Sequence, residues 1–158
     1  MTPEEKARQK IDQWFSDAGW KVVDRDEYEP TCTAVAIREG LLKGNLEADY
    51  FLFINGKAVG VLEAKREETD AFSDKVCNQA VLYARNVPRI YQTYQKPLPF
   101  IFTSNGKDLY FCDFRKQDSC FNQIMTIPTP YELVKLLGIN DYFAGLPTLR
   151  KKGLRDCQ

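Results

Sequence analysis

Apolar residues recur at helical spacing in three stretches of the chain. The first helix is predicted from Pro3 to Ala18, with Thr2 as its N-cap and Glu5 placed to close a capping box. A second helix is predicted over residues 72–86, where one stripe is apolar: Val76, Ala80, Tyr83 and Val87. A third helix, over residues 131–137, follows a Thr-Pro pair and is closed by a glycine.

Runs of β-branched and aromatic residues predict six strands, at residues 20–24, 33–38, 48–54, 57–64, 99–103 and 109–114. The dipeptide Asn55-Gly56 joins the third and fourth runs, and it is a strong short-range signal for a β-hairpin. Together these elements predict a mixed α/β (α+β) domain built around one largely antiparallel sheet.

Three charged residues stand where this hairpin should end in buried apolar ones. Glu63 and Lys65 are two apart, so they share one face of their strand. Asp49 lies on the partner strand, and a two-residue loop at Asn55-Gly56 would place it on the opposite face. A three-residue loop, or a β-bulge at a position such as Gly60, would bring all three side chains to the same face.

The absence of histidine narrows the chemistry more than any other feature of the composition. It excludes Ser-His-Asp and Cys-His catalysis and zinc hydrolases of the H-E-x-x-H type. The 158 residues suit one domain, and a formal net charge of zero argues against DNA binding driven by charge alone. Five cysteines without a C-x-x-C pair, no membrane-length apolar run and a charged start predict a cytoplasmic protein without a membrane partner.

Hard oxygen ligands would meet at one point if the hairpin brings the two acids together. Asp49, Glu63 and the backbone carbonyl of Ala64 form a set that suits Mg²⁺, with Mn²⁺ as a substitute. Lys65 beside them could orient or deprotonate a water, or stabilise charge on a phosphate. The alternative is a surface ion pair between Glu63 and Lys65, which is common on edge strands and stabilises little.

The pattern D…(E)-x-K across a hairpin resembles the PD-(D/E)xK nuclease superfamily, although Ala48 stands where its proline would be. The fuller wording, from Gly44 through A-D-Y to L-E-A-K, resembles the N-terminal nuclease domain of the restriction (R) subunit of type I restriction–modification enzymes. Gln79-Ala-Val-Leu-Tyr83 is similar to the Q-x-x-x-Y motif of these nucleases, and residues 100–106 (FIFTSNG) resemble their next strand and turn. The final LRDCQ resembles an L-R-x-Y-Q element that opens the helicase motor, with Cys157 in place of tyrosine.

This resemblance implies a restriction-endonuclease-like fold with a central mixed sheet flanked by helices. It implies an endonuclease domain over residues 1–146 and a linker over residues 147–158 that leads into a helicase motor. The expected activity is Mg²⁺-dependent hydrolysis of phosphodiester bonds in double-stranded DNA, with modification and specificity subunits as partners and ATP used only by the motor.

The resemblance also assigns roles to individual residues. Asp49, Glu63 and Lys65 are the expected catalytic residues, and Gln79 and Tyr83 are expected to support the substrate or the lysine. Related nucleases often draw a further acidic ligand from the first helix, for which Glu5 is the nearest candidate, although a capping box explains it without metal. Three alternatives remain open: a RecB-like nuclease of another helicase or defence system, a non-catalytic DNA-binding module, and a purely structural domain.

Overall fold

The computed structural model describes residues 1–29, 33–41 and 47–138. These ranges contain three α-helices: α1 (Pro3–Asp17), α2 (Asp74–Arg85) and α3 (Pro130–Leu137). They also contain eight strands: β1 (Lys21–Asp24), β2 (Ala34–Leu41), β3 (Glu47–Ile54), β4 (Lys57–Ala64), β5 (Gln92–Thr93), β6 (Phe100–Ser104), β7 (Leu109–Asp113) and β8 (Asn122–Ile124). The predicted domain boundary at residue 146 and the segment 147–158 lie outside the described residues.

Each helix start carries a side-chain cap: α1 begins at Pro3 as predicted, α2 begins two residues after its predicted start and α3 one residue before. Thr2 and Glu5 form a reciprocal capping box at the start of α1, and Thr129 does the same with Glu132 at α3. Gly138 ends α3 with φ +72°, a left-handed conformation that glycine adopts without strain. Within the described parts of the chain, no helix combines the length and the apolar character needed to cross a membrane.

The sheet is mixed and mostly antiparallel, which confirms the prediction. Its strands lie in the order β1-β2-β3-β4-β6-β7-β8, and β5 pairs with β4. The pairings β1–β2, β4–β5 and β4–β6 are parallel, and the others are antiparallel. The parallel neighbours β4 and β6 are joined through α2, as a parallel pair requires, because a tight hairpin can join only antiparallel strands.

Helices cover both faces of the sheet, which confirms the arrangement implied by the resemblance. On one face, Ile11 and Phe15 of α1 and Leu133 of α3 pack on strand residues that include Tyr50 and Leu62. The other face carries α2, with a second apolar cluster: Ala80, Tyr83 and Ala84 packed on Phe51, Phe53, Val61 and Ile101. The apolar stripe predicted for the second helix is buried at all four of its positions: Val76, Ala80, Tyr83 and Val87.

A β-bulge in β4 brings the two acids of the hairpin to the same face. The turn has two residues, Asn55 (φ +51°) and Gly56 (φ +80°), so it alone would separate the acids. However, Phe53 pairs with Ala58 whereas Leu52 pairs with Gly60, so Val59 is an extra residue without a partner. Beyond the bulge Tyr50 pairs with Leu62, and Asp49 is therefore level with Glu63. The geometric condition set by the sequence is met, and the bulge lies beside the predicted glycine.

Candidate active site

Asp49 and Glu63 lie together at one end of the sheet, because β3 begins where its antiparallel neighbour β4 ends. The Asp49 side chain is 14% exposed, and Glu63 is 3% exposed. The peptide N–H of Ala64 donates to Asp49 Oδ2 across the two strands, at 2.8 Å. This bond fixes the orientation of the Asp49 carboxylate with respect to β4.

Glu63 is a buried carboxyl group in which one of the two oxygens has a polar partner and the other has none. Its Oε2 lies 3.1 Å from the ammonium nitrogen of Lys65. Its Oε1 is the single buried side-chain nitrogen or oxygen, among the described residues, that has no hydrogen-bond partner. Burial, followed by the charge of Asp49 and by a hydrogen bond that the protonated group can donate to Asp49, raises the pKa of Glu63 to about 8, although Lys65 opposes the rise. A buried, unpaired carboxylate is costly unless a cation or a proton joins it.

Lys65 lies just beyond β4, with its side chain 25% exposed. Its peptide N–H donates to the carbonyl of Ser104, at 2.8 Å, which extends the β4–β6 ladder by one residue. Burial acts to lower the pKa of Lys65, but the carboxylates of Glu63 and Asp49 outweigh it and raise that pKa overall. The side chain is therefore an ammonium group, which suits charge stabilisation and hydrogen-bond donation better than proton abstraction.

Gln79 and Tyr83 lie one turn apart on α2 and contact each other directly. The Gln79 Nε2 donates to the Tyr83 hydroxyl at 2.7 Å. Burial and the charge of Glu63 raise the pKa of Tyr83, which places the phenol in the electrostatic neighbourhood of the two acids and Lys65. The fold thus brings the Gln-Tyr pair, the hairpin acids and the lysine into one region.

Glu5 makes its hydrogen bonds within the first turn of α1, to Thr2. Its Oε1 accepts from the Thr2 peptide N–H at 2.7 Å, and its own N–H donates to the Thr2 hydroxyl at 3.1 Å. These hydrogen bonds lower the pKa of Glu5. Glu5 therefore caps α1 in this conformation, and its role as a metal ligand stays a prediction.

The donor set fits a hard divalent cation. It consists of the carboxylates of Asp49 and Glu63, one of which has a buried oxygen without a partner, and the Ala64 carbonyl between Glu63 and Lys65. The part of the chain that the structure describes holds no group of three or more His, Cys, Asp or Glu side chains placed to bind a metal. Mg²⁺ commonly uses one or two carboxylates and completes its shell with water and substrate oxygens, so two carboxylates are a usual number.

Arg8 and Glu39 also reach this region, and the sequence alone did not single them out. The guanidinium of Arg8 binds Asp49 Oδ1, and its second nitrogen lies 3.8 Å from Glu39 Oε2. Arg8 belongs to α1 and Glu39 to β2, so no spacing along the chain relates either residue to Asp49. A polar residue near the end of β2, the neighbour of β3, was the only available signal for Glu39.

Comparison with known proteins identifies the family of the chain. The profile described as type I restriction enzyme R protein N terminus (HSDR_N) matches residues 35–119, which include both acids, Lys65, Gln79 and Tyr83. A solved fragment described as an HsdR subunit of a type I restriction enzyme from Vibrio vulnificus YJ016 has a similar fold, with a TM-score of 0.57 and 24% identity. That similarity covers 95% of this chain and 28% of the other. No curated protein sequence matches. Since the profile spans more than half of its residues, the chain belongs to the family of type I restriction enzyme R protein N-terminal domains.

Proposed function

We propose that this chain is the endonuclease domain of a type I restriction subunit and that it hydrolyses DNA phosphodiester bonds with Mg²⁺. The observation that carries the proposal is the buried Oε1 of Glu63, which has no partner and lies level with a second carboxylate, Asp49. Such a group adds no stability to a purely structural domain, because it must either hold a proton at neutral pH or be completed by a cation.

Asp49, Glu63 and the Ala64 carbonyl would hold the ion. When bound there, Mg²⁺ would supply positive charge that stabilises the developing negative charge of the phosphodiester under attack. Mn²⁺ has similar ligand preferences and could replace it. The Ala64 N–H keeps Asp49 oriented, and the buried position of Glu63 excludes bulk water from its carboxylate.

Lys65 would act as a cation and donor rather than as a base. Its ammonium group contacts the buried Glu63 carboxylate while the Lys65 side chain stays 25% exposed, so a phosphate oxygen or an attacking water can reach it. Gln79 and Tyr83 would support the substrate or the lysine, since their hydrogen-bonded pair sits in the same region on α2.

The surrounding restriction enzyme would supply what this domain lacks. We assign residues 1–146 to the nuclease and residues 147–158 to a linker into a motor that uses ATP. Recognition of double-stranded DNA would rest largely on the motor and on modification and specificity subunits, which fits a domain of zero formal net charge. Family membership favours this setting over a nuclease attached to an unrelated helicase.

Titration calorimetry with MnCl₂ tests the metal site directly. Asp49→Asn and Glu63→Gln should each weaken Mn²⁺ binding by at least about tenfold, since each removes a ligand charge. Glu47→Gln is a matched control, because Glu47 precedes Asp49 by two residues on β3 but pairs with Arg25 at 2.8 Å. Glu5→Gln should also bind like the parent protein if its capping role is the only one. Binding that survives both hairpin substitutions would exclude this site.

A second experiment separates catalysis from binding. Lys65→Ala, introduced into the whole restriction subunit, should abolish restriction of foreign DNA while ATP hydrolysis continues. A non-catalytic binding module predicts unchanged restriction in that variant. Loss of both restriction and ATP hydrolysis would instead indicate a damaged fold, which circular dichroism of the chain would reveal.

A further inference from the structure

Arg8 occupies a cationic position at the candidate metal site. Its guanidinium binds Asp49 Oδ1, the same carboxylate that the proposed function assigns to the metal. The Arg8 side chain is 36% exposed and Asp49 is 14% exposed, so water screens the pair only partly. Arg8 is therefore a permanent charge held against a proposed metal ligand.

The backbone of α1 is fastened to the sheet at Arg8 itself. The hydroxyl of Tyr50, the residue after Asp49, lies 3.0 Å from the Arg8 carbonyl oxygen and 2.6 Å from Asp12 Oδ1. Arg38 of β2 in turn donates to Asp12 Oδ2 at 2.9 Å. This partly buried polar cluster fixes the position of the Arg8 backbone, so the contact of its side chain with Asp49 follows from the packing of α1 on the sheet.

Asp49 does not need Arg8 to keep its orientation. Its other oxygen, Oδ2, accepts from the Ala64 N–H, which holds the carboxylate to β4 independently of α1. The guanidinium also has a second carboxylate within reach, because Glu39 Oε2 lies 3.8 Å from Arg8 Nη1. Glu39 takes a left-handed backbone conformation (φ +56°), which is uncommon for a residue with a side chain.

We propose that Arg8 is a tethered competitor of the metal: it holds Asp49 in the metal-free domain and moves towards Glu39 when a divalent cation binds. The proposal rests on the proposed function, since it concerns the same site. A guanidinium and a divalent cation bound to the same carboxylate repel each other, so each weakens the binding of the other. The strength of the Arg8–Asp49 pair then helps to set the affinity for metal.

Calorimetry with MnCl₂ on the chain and its variants tests this competition. Arg8→Gln should bind Mn²⁺ about threefold to tenfold more tightly, which corresponds to loss of a partly screened ion pair. Arg8→Lys keeps the charge and should remain close to the parent protein. Arg85→Gln is the control for net charge, because Arg85 lies over the ring of Phe114 at the opposite end of the sheet. Its affinity should not change.

The outcomes separate the two proposals. If the parent protein binds Mn²⁺ and Asp49→Asn does not, while Arg8→Gln binds equally or more weakly, the competition is wrong and the metal site stands. If the parent protein does not bind Mn²⁺ at all, the proposed function fails and the competition fails with it.

An NMR measurement follows the Arg8 side chain in the parent protein itself, and a variant serves only to assign its signal. The Nε–Hε signal of Arg8, assigned by its absence in Arg8→Lys, should shift when Mg²⁺ saturates the parent protein. A signal that does not move would overturn the exchange between Asp49 and Glu39.

Discussion

Replacing Glu63 by glutamine should stabilise the metal-free domain, although it removes a proposed ligand. In the folded protein burial and Asp49 raise the pKa of Glu63 to about 8, against an ordinary value of 4.5. Between these values the folded protein keeps a proton that the unfolded chain has released. Unfolding then releases a proton, so the free energy of unfolding must fall as pH rises through this window.

The size of the effect follows from proton linkage. A difference of one bound proton changes the free energy of unfolding by about 1.4 kcal/mol per pH unit. From about pH 6 to about pH 7.5 we expect the metal-free protein to lose roughly 1–2 kcal/mol of stability. Glutamine has no such proton, so the Glu63→Gln variant should be insensitive to pH here and more stable than the parent protein at the upper end.

Few other side chains of this protein are expected to titrate between pH 6 and 7.5. The chain has no histidine, the side chain that ordinarily titrates there. The pKa of Asp113 is lowered by hydrogen bonding from Arg115, so that carboxyl titrates below the window. Burial raises the pKa of Cys77 and Cys112, and these thiols titrate above it. The part of a pH dependence between 6 and 7.5 that Glu63→Gln abolishes therefore reports on Glu63.

Urea unfolding in EDTA, followed by tryptophan fluorescence, provides the measurement at several pH values across the window. Glu5→Gln is the control and should keep the slope of the parent protein, because hydrogen bonds from Thr2 lower the pKa of Glu5. Saturating Mn²⁺ should abolish the fall, since the ion favours the ionised carboxylate. Stability of the parent protein that stays constant or rises from pH 6 to 7.5 would refute the reasoning.

Three further substitutions test the packing around the site. Gly60→Ala should cost about 1–3 kcal/mol, because its Cβ would lie 2.5 Å from the Phe100 carbonyl oxygen; an unchanged melting temperature would contradict that contact. Tyr50→Phe should cost about 1–2 kcal/mol in urea unfolding, since it leaves the Asp12 carboxylate without the hydroxyl at 2.6 Å, and an effect near zero would mean that water replaces it. Thr129→Ala should cost about 1 kcal/mol through loss of the α3 cap, whereas Thr129→Ser should restore stability.

Helix positions were predictable because their signals are local. Thr2 and Thr129 start helices through hydrogen bonds to residues three positions later, and Gly138 ends α3. The structure confirms these three helix ends. The short strands β5 and β8 have two and three residues, which is too few to show an alternating pattern. The parallel pairing of β4 with β6 was not predictable either, since alternation shows which face is buried but not which strand lies alongside.

The site was predictable in part for the same reason. Glu63 lies in β4 and Lys65 extends the same chain direction by one residue, so their common face follows from their spacing. Whether Asp49 lies on the same face depends on whether the hairpin contains an extra residue. The sequence alone did not show whether such a bulge or a longer loop is present. The contact of Arg8 with Asp49 joins residues 41 apart on different elements, and no local pattern encodes it.

The unpaired Val59 makes the common face of Asp49 and Glu63 depend on the number of residues in β4. Deleting one residue from the bulge would turn the carboxylate and the ammonium that follow it to the far side of the sheet, without altering a single letter of the motif. Relatives that keep the motif yet differ by one residue between the turn and the acid should therefore be inert. A comparison of relatives should therefore count the residues between the turn and the acid before it compares the motif residues.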